Sequence, residues 1–351
     1  VSDADAADRL ILDESASTRA ATLPGRLVVI GDESGALAHA VLADGAVDVR
    51  VHQDSVASER DLRDAASPAR SLGLDAHLVA DAATVLVRLP RSLDALRDIA
   101  GLIAAHARPD VVVFAGGRIK HMSLTMNDVL RAHFTTVDVT HARQKSRVLI
   151  ARGPHDGADP VPRSAAQSLP GIAEPIVVSA LGGVFAGTSV DVGTRFLIEN
   201  LPERLPQGGD VIDLACGSGV VAVWLALQHP EIRVVATDRS AAAVASARAT
   251  ASANGVADRV LVVRDDGLSE RPDGSAAFIA LNPPFHEGAS IDKRLAFGLF
   301  ADAARVLRPG GELWTVWNSP LAYRSALERI VGPTRQIARN AKFTVAASTR
   351  R

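Results

Sequence analysis

Apolar residues in this chain fall in short runs, separated by longer stretches with helical spacing. In the second half, Val211-Ile212-Asp213-Leu214, Arg233 to Thr237, Val260 to Val263, Phe278 to Leu281, Glu312 to Trp317 and Phe343 to Ala346 read as strands. Between them Val220 to Leu227, the alanine-rich Ala241 to Ser252, Leu295 to Leu307 and Tyr323 to Ile330 read as helices. Strands alternating with helices predict βαβ units and a doubly wound, mostly parallel α/β sheet. The first half repeats the rhythm. Leu27 to Ile30, Val47 to Val51, Thr84 to Leu89, Val111 to Phe114 and Arg147 to Ile150 read as strands, and helices start at Ala36 and span Leu93 to Ala107 and Ser123 to His133.

Two further details suggest a duplication. Pro90 stops a strand in the first half as Pro283 does in the second, and His141 to Val148 resembles Ala338 to Val345. Between the halves, Gly153-Pro154-His155-Asp156-Gly157-Ala158-Asp159-Pro160-Val161-Pro162 is too rich in Gly, Pro and Asp for a helix or a central strand. The expected layout is a domain over 1–152, a linker over 153–172 and a second domain over 173–351, with structure resuming near Ile176.

Composition narrows the function. At 351 residues with 47% hydrophobic positions, two cores can be buried. The formal net charge of -2 gives no global attraction to nucleic acid and leaves room for a local basic face. The lone cysteine, Cys216, permits no intramolecular disulfide and argues against a cysteine metal site. The acidic, polar start Val1-Ser2-Asp3-Ala4-Asp5 is unlike a signal peptide, and no apolar run reaches the ~20 residues of a membrane span. A cytoplasmic monomer without metal is the expectation.

The candidate chemistry sits at predicted strand ends. Ala276 to Leu281 runs into Asn282-Pro283-Pro284-Phe285. Two prolines cannot continue a central ladder, so the strand must stop there, at the sheet edge where α/β proteins bind ligands. An amide, a backbone carbonyl and an aromatic ring in one rigid turn could clamp a planar amino group; the alternative is a proline-stiffened loop. The first strand of this half closes on Asp213-Leu214-Ala215-Cys216-Gly217-Ser218-Gly219. Its D-x-x-x-G-x-G pattern departs from the dinucleotide G-x-G-x-x-G. The acid would repel a pyrophosphate and suits a cationic amino-acid ligand such as S-adenosylmethionine. Asp238 ends the second strand, where a carboxylate can take both ribose hydroxyls, and Asp266 follows the third, within reach of an adenine amine. A surface acid or helix cap is the plainer role for each alone; three at consecutive strand ends favour a cofactor.

With these residues together, the second half resembles a class I S-adenosylmethionine-dependent methyltransferase. The whole chain resembles bacterial ribosomal RNA guanine-N2 methyltransferases of the paired-domain type. The resemblance includes Gly183-Val184-Phe185, Ser189-Val190-Asp191-Val192-Gly193-Thr194-Arg195-Phe196-Leu197, Asn282-Pro283-Pro284-Phe285-His286 and Asn340-Ala341-Lys342-Phe343. The second and last of these lean toward large-subunit members. It implies tandem Rossmann-like methyltransferase domains with the first degenerate. S-adenosylmethionine is the implied cofactor, and ribosomal RNA or a ribosomal subunit the partner. Asn282, Pro283 and Phe285 are then the catalytic candidates. Asp213, Ala215, Gly217, Gly219, Asp238, Asp266, Asn282, Asp191 and Thr194 are the cofactor-binding candidates, and Pro284, Phe285, His286, Lys342 and Arg339 the substrate-binding ones. For Asp191 and Thr194 a turn role competes with closing over the cofactor. His286 is a candidate base, although the ammonium formed on transfer can lose its proton to water; packing or RNA contact is the plainer role.

Degeneracy is legible in the first half. Aligning Gly35 with Gly219 puts Val29 at the place of Asp213 and Glu33 at that of Gly217; aligning Pro90 with Pro283 puts Leu89 at that of Asn282. The first half is therefore expected to bind neither cofactor nor base. Arg118, Lys120, Arg143, Lys145, Arg147, Arg335, Arg339 and Lys342 are candidate RNA contacts, with solvated surface charge as the plain alternative. The turn itself specifies only an amine acceptor, so a DNA adenine or protein glutamine methyltransferase stays open. So does a non-catalytic RNA-binding protein, against which the intact Asp213, Gly217, Gly219 and Asn282 argue.

Overall fold

The computed structural model describes residues 4–23, 25–64, 68–284 and 293–351. The chain divides into two compact units, Val1–Val161 with Leu181–Gly183, and Pro162–Ala180 with Val184–Arg351. The first unit runs α1 (Ala6–Thr22), β1 (Leu27–Ile30), α2 (Ala36–Ala43), β2 (Val49–His52), α3 (Val56–Asp64), β3 (Arg70–Ser71), α4 (Ala76–Val79), β4 (Thr84–Arg88), α5 (Leu93–His106), β5 (Val112–Arg118), α6 (Leu124–Arg131), β6 (Phe134–Val139) and β7 (Ser146–Pro154). The second unit runs β8 (Arg163–Gln167), β9 (Ile176–Ala180), α7 (Val192–Ile198), β10 (Asp210–Leu214), α8 (Val220–Gln228), β11 (Val234–Asp238), α9 (Ala241–Ala253), β12 (Val260–Arg264) and β13 (Ala276–Leu281). It ends with α10 (Lys293–Val306), β14 (Leu307–Asn318), α11 (Arg324–Ile330), β15 (Thr334–Arg339) and β16 (Phe343–Thr349).

Each unit holds a seven-stranded sheet, and the two sheets share one strand order: β3-β2-β1-β4-β5-β7-β6 and β12-β11-β10-β13-β14-β16-β15. Pairing is parallel except where β7 and β16 run against both neighbours. All residues of β1 and β13 are buried, as a parallel strand covered by helices on both faces must be. In the second unit one face packs Phe278, Trp314 and Val316 against Trp224 and Ala247; the other packs Leu313 and Trp317 against Phe300 and Leu327. The doubly wound tandem architecture is the expected one. Among the described residues no helix is long and apolar enough to cross a membrane.

The duplication extends to single hydrogen bonds. Ile119 N donates to Lys145 O at 3.0 Å, and Ser319 N to Lys342 O at 2.9 Å. Arg118 pairs with Ser146 as Asn318 pairs with Phe343. The matching segments 141–148 and 338–345 are thus the same hairpin entering the same reversed strand.

Several elements carry no apolar period and are absent from the sequence reading. β6 and β15 lie at sheet edges with most residues outside the core. β8 occupies Arg163–Gln167, inside the segment expected as linker, because its antiparallel partner β9 satisfies it. The polar start of the chain forms α1, whose signal lies in its cap: Asp5 Oδ1 accepts from Ala7 N at 2.7 Å and Asp8 N at 2.9 Å, and Asp8 Oδ2 accepts from Asp5 N at 2.9 Å. Leu10 and Ile11 of α1 are buried, and Ile11 lies so close to β5 that Gly116 has no room for a Cβ.

An ion triad ties α1 to the end of β4. Arg88 Nη1 lies 2.9 Å from Asp5 Oδ1 and 3.0 Å from Asp8 Oδ1. Burial raises the Asp5 carboxyl, but the Arg88 hydrogen bond and charge and the backbone donors outweigh it and hold it at about 2. This stabilisation is complete above the ordinary 3.8 and is lost as pH falls through about 2. Arg88→Leu leaves Asp8, 6% exposed, without its cation. The expected loss is about 2–3 kcal/mol, below the ~3–5 of a fully buried pair because Arg88 is partly solvated. Urea unfolding of the full chain, with hydrogen exchange along α1, measures it.

Candidate active site at the carboxyl edge of the second sheet

β10 ends on Asp213, Leu214 and the glycine loop. Asp213 is 3% exposed, and its Oδ2 accepts from Ala222 N, in the first turn of α8, at 2.9 Å. Burial pushes its carboxyl up to about 7; the Ala222 hydrogen bond opposes this and the charge of Asp238 adds to it. Ala215 takes a left-handed φ of 57°, Gly217 one of 54° and Gly219 one of 78°. The two glycines serve different ends. A Cβ on Gly217 would meet nothing within 4 Å, so the backbone there is open to a ligand; one on Gly219 would come 2.8 Å from the Ala247 Cβ. Gly219 is therefore required by the packing of the loop on α9.

Asp238 closes the loop from the neighbouring strand. Its Oδ2 accepts from Gly217 N and its Oδ1 from Ser240 N, each at 2.9 Å. A carboxylate at this strand end suits ribose hydroxyls. Beyond β12 two adjacent acids diverge. Asp265 is fully buried and takes Ser269 Oγ at 2.5 Å and Glu270 N at 3.0 Å; Asp266 stays half-buried at the sheet edge. Burial and the charges of Asp213 and Asp238 push the Cys216 thiol well up, away from the thiolate form that a nucleophile needs.

Asn282 follows β13, half-buried, with Pro283 buried and Pro284 exposed. Its Nδ2 donates to Thr194 Oγ1 at 2.9 Å and toward Asp191 Oδ2 at 3.4 Å. Asp191 Oδ2 also accepts from Gly193 N at 2.8 Å and Thr194 N at 3.2 Å, capping α7. A carboxylate only accepts, so the amide must turn its nitrogen toward α7 and its oxygen away. That oxygen, Oδ1, is buried without a protein partner. Asp191 and Thr194, expected at the cofactor, are brought to Asn282. Phe285 and His286 lie outside the described residues.

The methyltransferase small domain family matches residues 175–347, and the RLMG N-terminal domain family matches residues 3–155. The ribosomal RNA large subunit methyltransferase G of Streptomyces avermitilis is 34% identical, across 97% of this chain and 91% of its own. The chain belongs to the ribosomal RNA large subunit methyltransferase G family. The Stutzerimonas stutzeri member is 33% identical, across 98% of this chain and 92% of its own. The leaning toward large-subunit members falls on the same side. The fold is also that of the T. thermophilus 16S rRNA N2 methyltransferase RsmC, solved with AdoMet and guanosine: TM-score 0.78 at 23% identity, across 93% of this chain and 88% of that one.

Within the family chain, the first unit preserves the frame and replaces its chemistry. Leu27 pairs with Thr84 as Val211 pairs with Phe278, so Arg88, and not Leu89, stands at the place of Asn282. The proline alignment is one residue out because the ladder, which sets the register, puts Pro90 at Pro284. Arg88 grips Asp5 and Asp8 at the cap of α1, as Asn282 grips Asp191 and Thr194 at the cap of α7. Val29 does replace Asp213, yet an acid returns from the loop. Buried Asp32 Oδ2 accepts from Ala38 N, in the first turn of α2, at 2.8 Å. Gln53, at the place of Asp238, donates to Asp32 O and closes the loop on itself.

The candidate RNA contacts separate into two kinds. Arg143 pairs with Asp13 at 2.9 Å; Arg335 pairs with Glu312 at 2.7 Å and lies over Trp314. Arg339 and Lys342 are exposed, with the Lys342 ammonium 5.2 Å from the Phe343 ring centre. In the first unit Arg118 and Lys120 stand near Arg91 around His121; slight burial, then the charges of Arg91, Lys120 and Arg118, lower the His121 pKa. Arg91 carries no signal in the sequence beyond its charge.

The Asp213 carboxyl makes a pH-dependent prediction. Above about 7 it is ionised and ready for a cation; below, a proton competes for it. S-adenosylmethionine affinity should be flat above that pH and fall by up to about tenfold per unit below it. Calorimetry at pH 6 in buffers of different ionisation enthalpy should register proton release. Asp213→Asn should bind weakly at every pH with no proton release.

Proposed function

We infer that this protein transfers a methyl group from S-adenosylmethionine to the exocyclic N2 amine of a guanine in large-subunit ribosomal RNA. The observation that carries the reading is the Asn282 amide. Its nitrogen is tied to α7 and its oxygen is buried, unpartnered and fixed at the carboxyl edge beside the glycine loop. S-adenosylmethionine, when bound, supplies an electrophilic methyl group. Asp213, the open backbone at Gly217, Asp238 and Asp266 would hold its amino-acid, ribose and adenine parts, in that order.

An amine on a purine is a poor nucleophile because its lone pair is delocalised into the ring. Asn282 Oδ1 and the Pro283 carbonyl, accepting both N–H bonds, favour a pyramidal nitrogen with its lone pair free. Positive charge then grows on nitrogen, and the two fixed oxygens stabilise it without reorganising. Asp191 and Thr194 keep Asn282 Oδ1 turned toward the amine; Phe285 offers a stacking face to the base. The target must be unpaired or flipped from its stack to reach the turn. Arg339 and Lys342, with the cations around His121, would hold phosphates and set position without reading sequence.

The reading makes three predictions. Primer extension over both rRNAs from a deletion strain should lose one stop in the large subunit, restored by the wild-type chain and not by Asn282→Ala. An unchanged modification pattern would sink the proposal. In vitro, Asn282→Ala should lower kcat about 10²–10³-fold, by analogy with the loss of an oxyanion-hole donor, with S-adenosylmethionine affinity preserved. Thr194→Val, which only releases the amide, should lower kcat about tenfold by the same readout.

A further inference from the structure

A second asparagine closes the strand next to the Asn282 turn. Asn318 is the last residue of β14, the neighbour of β13. Its amide oxygen is buried without a partner, as that of Asn282 is. The register places both side chains on one face. Ala280 pairs with Trp314 and Leu281 with Thr315; alternation along the strands then puts Trp314, Val316 and Asn318 on the face of Ala280 and Asn282. Ala280, Trp314 and Val316 share one core cluster with Leu197 of α7. Across the antiparallel ladder Asn318 stands opposite Phe343, whose ring would come 3.1 Å from a Cβ on Gly193 in the first turn of α7. The same turn bonds Asn282 through Thr194. The two asparagines therefore flank one helix end, with backbones roughly 8 Å apart from the spacing of strands and residues.

The first unit varies both positions together. Arg88 stands where Asn282 does, and Arg118, opposite Ser146, stands where Asn318 does. The sheet that lacks one amide lacks the other.

Buried polar atoms in folded proteins are almost always partnered, and these two unpartnered oxygens at the ends of adjacent strands can each accept from a ligand's donor. Guanine presents two adjacent donors on its Watson–Crick edge, N1–H and N2–H. Adenine presents its amine beside an N1 that only accepts. Two amide oxygens at one edge match guanine and oppose adenine. We propose that Asn318 Oδ1 accepts the N1–H of the target guanine while Asn282 Oδ1 accepts from its N2 amine, so that Asn318 selects guanine. This rests on the reading of Asn282 as the amine acceptor and extends it to the identity of the base.

The test uses the full chain and two synthetic RNA hairpins spanning the nucleotide mapped by primer extension. One carries guanine there; the other carries 2-aminopurine, which keeps the N2 amine and has no N1–H. Wild type should bind and methylate the guanine hairpin about 10–100-fold better, the loss expected for one buried hydrogen bond. Asn318→Ala should bring the guanine hairpin down to near the 2-aminopurine level in both Kd and kcat/KM. Its affinity for S-adenosylmethionine should be unchanged, which also reports that it folds. Asn318→Asp keeps an acceptor and should retain the preference for guanine. Equal handling of the two hairpins by wild type overturns the proposal whether or not any variant folds, and so does an undiminished preference in Asn318→Ala. If wild type methylates no guanine hairpin, it is the function itself that fails.

Discussion

A strand buried on both faces can be polar only at its end. β13 has no exposed residue from Ala276 to Leu281, and Pro283 and Pro284 deny its backbone any further ladder. Asn282 is the first position at which this strand can offer chemistry. It does so at the carboxyl edge that β10 and β11 also reach. Asp213, Gly217 and Asp238 arrive there for the same reason: each lies at or just beyond the end of a strand whose interior is committed to the core. The site is thus a consequence of the sheet's direction, and α7 supplies what the sheet cannot. Its cap, Asp191 with Thr194, holds the amide by its nitrogen and so determines which way the oxygen faces.

The two units show how little of a fold its active edge is. Strand order, reversed penultimate strand and edge hairpin are common to both. The contact between the fourth strand and the helix cap is also common, but its chemistry is exchanged: amide to carboxylate and hydroxyl in one, guanidinium to two carboxylates in the other. An ion triad satisfies every partner internally. The amide leaves one buried oxygen unsatisfied, able to accept from a ligand. Likewise Gln53 closes the first loop on Asp32, while Gly217 leaves the second open.

Much of this is legible in the order of residues. Strand and helix alternation marks the doubly wound sheets, because a strand needs β-branched apolar runs and its crossover helix needs a different period. The glycine loop, the acids at strand ends and the proline turn announce the site, because their residue types are constrained by backbone conformation. The misreadings have physical causes too. Edge strands β6 and β15 lack an apolar period because one side has no neighbour. α1 hides behind a polar face, and its capping box of two aspartates is a weaker signal than one with glutamate. The one-residue error at Leu89 comes from trusting a proline where hydrogen-bond register rules.

The chain's order of residues therefore determined the elements, the duplication and the position of the candidate turn, since these depend on local conformation and on hydrophobic period. Only the folded chain decided what each residue is for. Gly219 yields to Ala247 and Gly217 to open space, although both are glycines in one motif. Asp191 and Thr194 reach Asn282 across about ninety residues of chain, at separations of 91 and 88. Asn318 joins Asn282 on one face only because β14 lies beside β13. Such roles arise from distances between positions remote in sequence, and no local pattern encodes a distance.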